Sequence, residues 1–183
     1  MVRALCLRQP SNINKDEWVN RLIAVSDTST NIYMKIRSFL NLACYRYGVG
    51  DLQKLEISLI SLEELIQHVD VPPLARLTAY WLKAAFFNAT SEYGHCQKVI
   101  SDGLELVRST GIHVMDHMLL GYGVLNSLKA GSFTNAKKYL QEMSATLRLV
   151  RPWQEGFYHY TAAWMAIYSG NLSQAPLLIQ SGV

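Results

Sequence analysis

Apolar residues in this chain recur at helical spacing around four short turns. Ten, seven and six residues before Gly50-Asp51-Leu52 stand Leu40, Ala43 and Cys44; before Ser91-Glu92-Tyr93 stand Trp81, Ala84 and Ala85. The same offsets give Gly121, Val124 and Leu125 before Gly131-Ser132-Phe133, and Tyr160, Ala163 and Trp164 before Gly170-Asn171-Leu172. Positions −10, −7, −6 and −3 share one face of a helix, so each turn is preceded by an amphipathic helix with a small residue at its closest approach. Five residues after the turn starts come Leu55, Cys96, Ala136 and Ala175, and nine after come Leu59, Ile100, Leu140 and Ile179, which marks a second helix. The turn starts, at 50, 91, 131 and 170, lie 41, 40 and 39 residues apart. This is a repeat of pattern rather than of letters.

The pattern predicts a leading helix over 14–26 and helix pairs over 30–48 with 51–69, 73–90 with 92–110, 113–129 with 133–149, and 153–169 with 172 onward. Pro72-Pro73 and Pro152 stand where first helices begin, Gly111 where a second helix ends, and Asn14 with Glu17 reads as a cap with its reciprocating acid. Alternating apolar and polar runs with hairpin turns are missing, so strands have little support. The reading is an all-α chain, a right-handed α-α superhelix of about four helix pairs, each burying its stripe by stacking on the next. Its parts are a leading segment, 1–27, and repeats at 28–71, 72–112, 113–152 and 153–183. The last repeat reads as incomplete, and the whole as a fragment of a longer protein. Pro176 is compatible with a helix because it falls in the first turn after Ser173.

A small residue followed by Gly-x-(Leu/Phe/Tyr)-x-x-Ala marks tetratricopeptide-like repeats. It is carried most specifically by "GIHVMDHMLLGYGVLNSLKAGSFTNAKKYLQEM", Gly111 to Met143, and "YHYTAAWMAIYSGNLSQA", Tyr158 to Ala175. At its ~40-residue period it resembles the superhelical sensor region of MalT-type and LuxR-type transcriptional regulators with signal-transduction ATPase modules, over roughly residue 30 to the end. The resemblance implies an ATPase module upstream, a helix-turn-helix output domain downstream, and a segment that binds a small-molecule effector or a protein partner. The expected function is a non-enzymatic sensor or scaffold segment of a bacterial transcriptional regulator. The alternative is a general protein-interaction module of an adaptor or kinase-linked scaffold.

Composition narrows the alternatives. Half of the 183 residues are hydrophobic, enough for a packed core. The net charge of +3 comes from scattered Lys and Arg, so direct nucleic-acid binding is not expected. The apolar stretches are too short for a bilayer span or a secretory leader, giving a cytoplasmic, non-membrane reading. Cys6, Cys44 and Cys96 are few, distant and set among apolar neighbours, which suits packed thiols.

Catalytic chemistry finds little footing. His113-Val-Met-Asp-His117 places two imidazoles four apart, yet no third ligand is near; the expected role is the opening turn of a first helix, and no metal is expected. "GVGDLQK" lacks the spacing that cradles phosphates, so no nucleotide or other cofactor is expected. Glu63-Glu64, Asp102 and Glu105 read as solvated faces. In tetratricopeptide arrays first helices line the concave groove, which places Arg37, Tyr47, Trp81, Asn88, Lys129, Tyr160, Trp164 and Tyr168 on or near a ligand or partner surface. An apolar stripe left bare on the last pair predicts a weak homodimer through it.

Overall fold

The computed structural model describes residues 14–68, 70–147 and 151–182. Among these residues all regular structure is helical. The helices are α1 (Lys15–Thr28), α2 (Ile32–Gly48), α3 (Leu52–Ile66), α4 (Pro73–Ala89), α5 (Tyr93–Thr110), α6 (Asp116–Lys129), α7 (Phe133–Ala145), α8 (Pro152–Tyr168) and α9 (Gln174–Ser181). The chain divides into two compact units, Met1–Phe86 and Phe87–Val183, the division falling inside α4.

Local chemistry sets the helix starts. The Asn31 side chain accepts from the backbone N–H groups of Tyr33 and Met34 and opens α2; Asp51 accepts from Lys54 N–H and opens α3. Such caps contribute about 1 kcal/mol each. Asn14 stands at the N-cap of α1 without a capping bond from its side chain, and Glu17 pairs with Arg21 at 2.6 Å instead of reciprocating.

The four aligned turns share one backbone solution. Gly50, Ser91, Gly131 and Gly170 all have positive φ, between 63° and 77°. The N–H one residue further on reaches back over the helix end: Asp51 to Arg46 O (2.9 Å), Glu92 to Phe87 O (2.9 Å), Ser132 to Ser127 O (2.7 Å) and Asn171 to Ala166 O (2.9 Å). A left-handed residue followed by this six-to-one bond is the Schellman closure of a helix, and it satisfies carbonyls that would otherwise lack partners. Left-handed backbone costs a residue with a Cβ roughly 1 kcal/mol, which is why glycine holds three of the four positions.

In unit 1, α2 packs between α1 and α3, with Ile36, Leu42, Ala43, Leu55, Leu59 and Leu62 buried. Lys83 on α4 reaches Glu63 on α3 at 2.8 Å, so one of the paired acids anchors a lysine from the neighbouring helix. In unit 2, α6 contacts α5, α7 and α8, and α8 contacts α9. The α6 core of Leu120, Val124 and Leu128 packs with Ala136 and Met143 of α7. The small −7 residues Ala43, Ala84, Val124 and Ala163 are all buried, as are Leu55, Cys96, Ala136 and Ala175 after the turns.

Three element ends differ from expectation. The helix expected from residue 113 begins at Asp116, because Gly111 takes a left-handed conformation that ends α5 and Met115 serves as the N-cap of α6. The helix expected over 133–149 ends at Ala145, with Thr146 its C-cap; residues 148 and 149 lie outside the described residues. The helix expected over 51–69 ends at Ile66, and residue 69 also lies outside. So does Cys6. No described helix is long and apolar enough to cross a membrane.

Candidate functional site

The aromatic run on α8 follows from spacing. Phe157, Tyr160, Trp164 and Tyr168 stand three and then four residues apart, so their rings fall along one side of the helix. Phe157 stacks on Tyr160 with centroids 6.1 Å apart and planes 14° from parallel; Tyr160 meets Trp164 edge-on at 6.3 Å, and Trp164 meets Tyr168 at 6.0 Å. Tyr160, Trp164 and Tyr168 remain 47%, 36% and 43% exposed. That departs from the second pair, where Trp81 and Ala85 hold the positions of Tyr160 and Trp164 and are buried.

These three rings, with Asn88, Leu125, Leu128 and Lys129, line a cavity of about 200 Å³. Its polar end is built by two helix termini. The Lys129 ammonium, in the last turn of α6, donates to the backbone carbonyl of Asn88 (3.1 Å) and to its side-chain oxygen (2.9 Å) near the end of α4. A cation at a helix C-terminus is favoured by the dipole and by the unfilled carbonyls there. The bond to Lys129 fixes which side-chain atom of Asn88 is oxygen, since an ammonium only donates. The Asn88 amide nitrogen is therefore the other atom; it is buried and has no partner among the described residues. Each such donor left unmade costs about 1–3 kcal/mol.

Five of the eight residues read from the sequence as groove-facing thus meet at one cavity: Asn88, Lys129, Tyr160, Trp164 and Tyr168. The other three lie in unit 1. Tyr47 and Trp81 form an edge-to-face pair with centroids 6.5 Å apart, and Trp81 is buried, so this ring serves packing. Arg37 lines a separate, larger cavity of about 430 Å³ with Tyr33, Ile36, Leu40, Asn41, Cys44, Pro72, Leu74, Ala75 and Thr78. The sequence pattern, which flags residues by helix face, missed Asn41, Pro72 and Thr78. Pro72 and Thr78 belong to the entry and first turns of α4, which the −10 to −3 window does not reach.

The HVMDH stretch is split by the start of α6. His113 precedes the helix and is exposed, its Nδ1 2.7 Å from an Asp116 carboxylate oxygen. His117 is buried, with Nε2 2.8 Å from Thr146 Oγ1 and no partner for Nδ1 among the described residues. Burial pulls the His117 pKa below its ordinary value, opposed in part by the Asp116 charge. Among the described residues no group of three or more His, Cys, Asp or Glu is placed to hold a metal ion. The Cys96 thiol is fully buried, and loss of solvent pushes its pKa up to about 12 against the opposing pull of Lys129. A thiol so held stays protonated and is a poor nucleophile.

Comparison with known protein families, with curated proteins and with solved structures finds no match for this chain.

Proposed function

We propose that this chain is a non-enzymatic binding segment whose working surface is the aromatic side of α8 together with Asn88 and Lys129, and that it takes a protein partner there. The observation that carries the reading is the convergence of three half-exposed rings and the Lys129 ammonium, held by Asn88, on one cavity. Trp and Tyr give large contact area at small entropic cost and are the residues that dominate binding energy at interfaces. A cavity of about 200 Å³ is smaller than the ~300–1,000 Å³ typical of sites that enclose a small molecule, so a shallow anchor for a partner's side chains fits better. An acidic group on the partner would meet the exposed Lys129 ammonium at the edge of the cavity.

The wider setting we infer is the sensor region of a cytoplasmic bacterial transcriptional regulator of LuxR type, with the helix pairs stacked as a right-handed tetratricopeptide-like superhelix. Its support is the 39 to 41-residue spacing of turns with a common backbone closure, and the similarity of Gly111–Met143 and Tyr158–Ala175 to such regions. A general adaptor module is the second reading, favoured by the same protein-sized surface. The intact open reading frame separates them: ATPase and helix-turn-helix segments beside this one support the regulator, and their absence ends it.

The site itself is tested by affinity capture with the wild-type chain and with Lys129→Ala/Trp164→Ala, followed by mass spectrometry. The expected result is one abundant partner lost from the variant; equal recovery would remove α8 from the interface. Leu172, Leu177 and Ile179 lie exposed on and just before α9, and we infer weak self-association through them. Sedimentation equilibrium should show a concentration-dependent mass that Leu177→Glu abolishes; a monomer at all concentrations contradicts it.

A further inference from the structure

We propose that the cavity between α2 and the start of α4 is a second site, which binds a small organic acid carrying one carboxylate on a compact apolar body, with Arg37 as the residue that recognises the carboxylate. This site lies wholly in unit 1 and does not depend on the partner surface assigned to α8.

Three of the described arginines of that unit are held by the fold. Among its described residues, Arg21 is paired with Glu17 at 2.6 Å, the Arg46 guanidinium donates to Lys54 O at 2.8 Å and to the Ser58 hydroxyl, and Arg76 donates to His68 O at 2.7 Å. The Arg37 guanidinium makes neither a hydrogen bond nor an ion pair among the described residues, and no acidic residue lines the cavity it borders. An unpartnered arginine on an open surface is ordinary, held by water alone. This one stands at the rim of an apolar hollow, with Ile36, Leu40, Leu74 and Ala75 on its walls.

Volume and polarity then select the ligand. At about 430 Å³ the cavity falls inside the range of small-molecule sites. Its other polar groups are largely spent on the fold. The Tyr33 hydroxyl donates to Asp70 O at 3.2 Å, the Thr78 hydroxyl to Leu74 O at 2.8 Å, and the Asn41 amide nitrogen to Arg37 O at 2.8 Å. A sugar or other polyol would bury hydroxyls that find few partners, each at a cost of roughly 1–3 kcal/mol. A dianionic phosphate would be met by a single cation. A monocarboxylate matches the guanidinium fork with two parallel bonds, while its hydrocarbon part covers the apolar wall. The remaining N–H of Asn41 sits on the same helix face one turn along, free to donate to the same head group.

The test is calorimetric titration of the full 183-residue chain with two acid probes, octanoate and 4-phenylbutyrate, and with their neutral counterparts, octanol and 4-phenylbutanol. At least one acid should bind saturably below 1 mM, at least tenfold tighter than its alcohol. Arg37→Gln should weaken the acid tenfold or more and bring it level with the alcohol, and Arg37→Lys should restore part of the preference. Because the Arg37 side chain makes no hydrogen bond or ion pair among the described residues, the variant should melt at the wild-type temperature. Ala75→Phe, which fills the hollow, should abolish binding of both members of the pair. Three results would each overturn the proposal: no binding of either acid at 1 mM, equal affinity for acid and alcohol in the wild type, or acid affinity unchanged in Arg37→Gln.

Discussion

The ring of Phe157 on α8 lies where a side chain on Gly121 of α6 would have to begin: a Cβ built there would stand 2.2 Å from Phe157 Cε1. Glycine at the −10 position of the third pair is thus what lets α6 and α8 approach. Gly121→Ala should lower stability by about 1–3 kcal/mol from overpacking, offset by up to ~1 kcal/mol of improved helix propensity. In a Phe157→Ala background the clash is gone and the same change should stabilise by about 1 kcal/mol. Urea denaturation of the four proteins in the cycle checks the change of sign; a Gly121→Ala effect of the same sign in both backgrounds refutes the close approach.

Ser91 carries a Cβ at the one aligned turn where glycine is absent, with φ of 63°. Ser91→Gly should raise stability by about 1 kcal/mol, and Gly131→Ala, whose Cβ would meet open space, should lower it by about the same amount through backbone strain alone. Thermal melts of the two variants should move in opposite directions.

His117 makes stability depend on pH in a definite sense. Its pKa is lowered in the folded chain, so below its ordinary value near 6.5 the unfolded chain binds the proton that the buried ring resists. Stability should be at its plateau above that value and fall as pH drops through 6.5 toward the folded pKa. Replacing the ring with a neutral amide, His117→Gln, should flatten the melting temperature between pH 7.5 and 5.5 relative to wild type. An equally steep profile in the variant assigns the dependence to other groups.

Two thiols should differ sharply in reactivity. Cys96 is fully buried with its pKa at about 12, whereas Cys44 is only partly buried on the wall of the unit 1 cavity. Maleimide labelling of the native chain should leave Cys96 untouched until the protein unfolds, while Cys44 reacts. If octanoate or 4-phenylbutyrate fills that cavity, it should slow the Cys44 reaction and not in Arg37→Gln.

Helices were legible because a period of 3.6 leaves the same face apolar each time, and Ala43, Ala84, Val124 and Ala163 are indeed interior. The turns were legible because a left-handed residue favours glycine, and even the exception at Ser91 kept the register. Helix starts were less so. The onset of α6 at Asp116 depends on how Gly111 to Met115 turn, and the composition of His113 to His117 does not encode that. The aligned face also gave no separation between Trp81, which fills a seam, and Trp164, which faces solvent. Both occupy helix faces that look alike in sequence, and only the neighbouring helix decides. That Arg37 makes no ion pair among the described residues was equally invisible, since it depends on where the acids of unit 1 end up.

The common closure of the four turns has a kinetic side. Each is sealed by a hydrogen bond spanning five residues, and the helix contacts described run between neighbours in chain order or between helices one further along, as α2 with α4, α4 with α6 and α6 with α8. Little loop entropy is lost before such contacts are rewarded, so hairpins of this kind close on the fast end of folding times. A lesion in one turn should therefore act on the adjoining helices first, loosening its own neighbourhood before it reaches the rest of the chain.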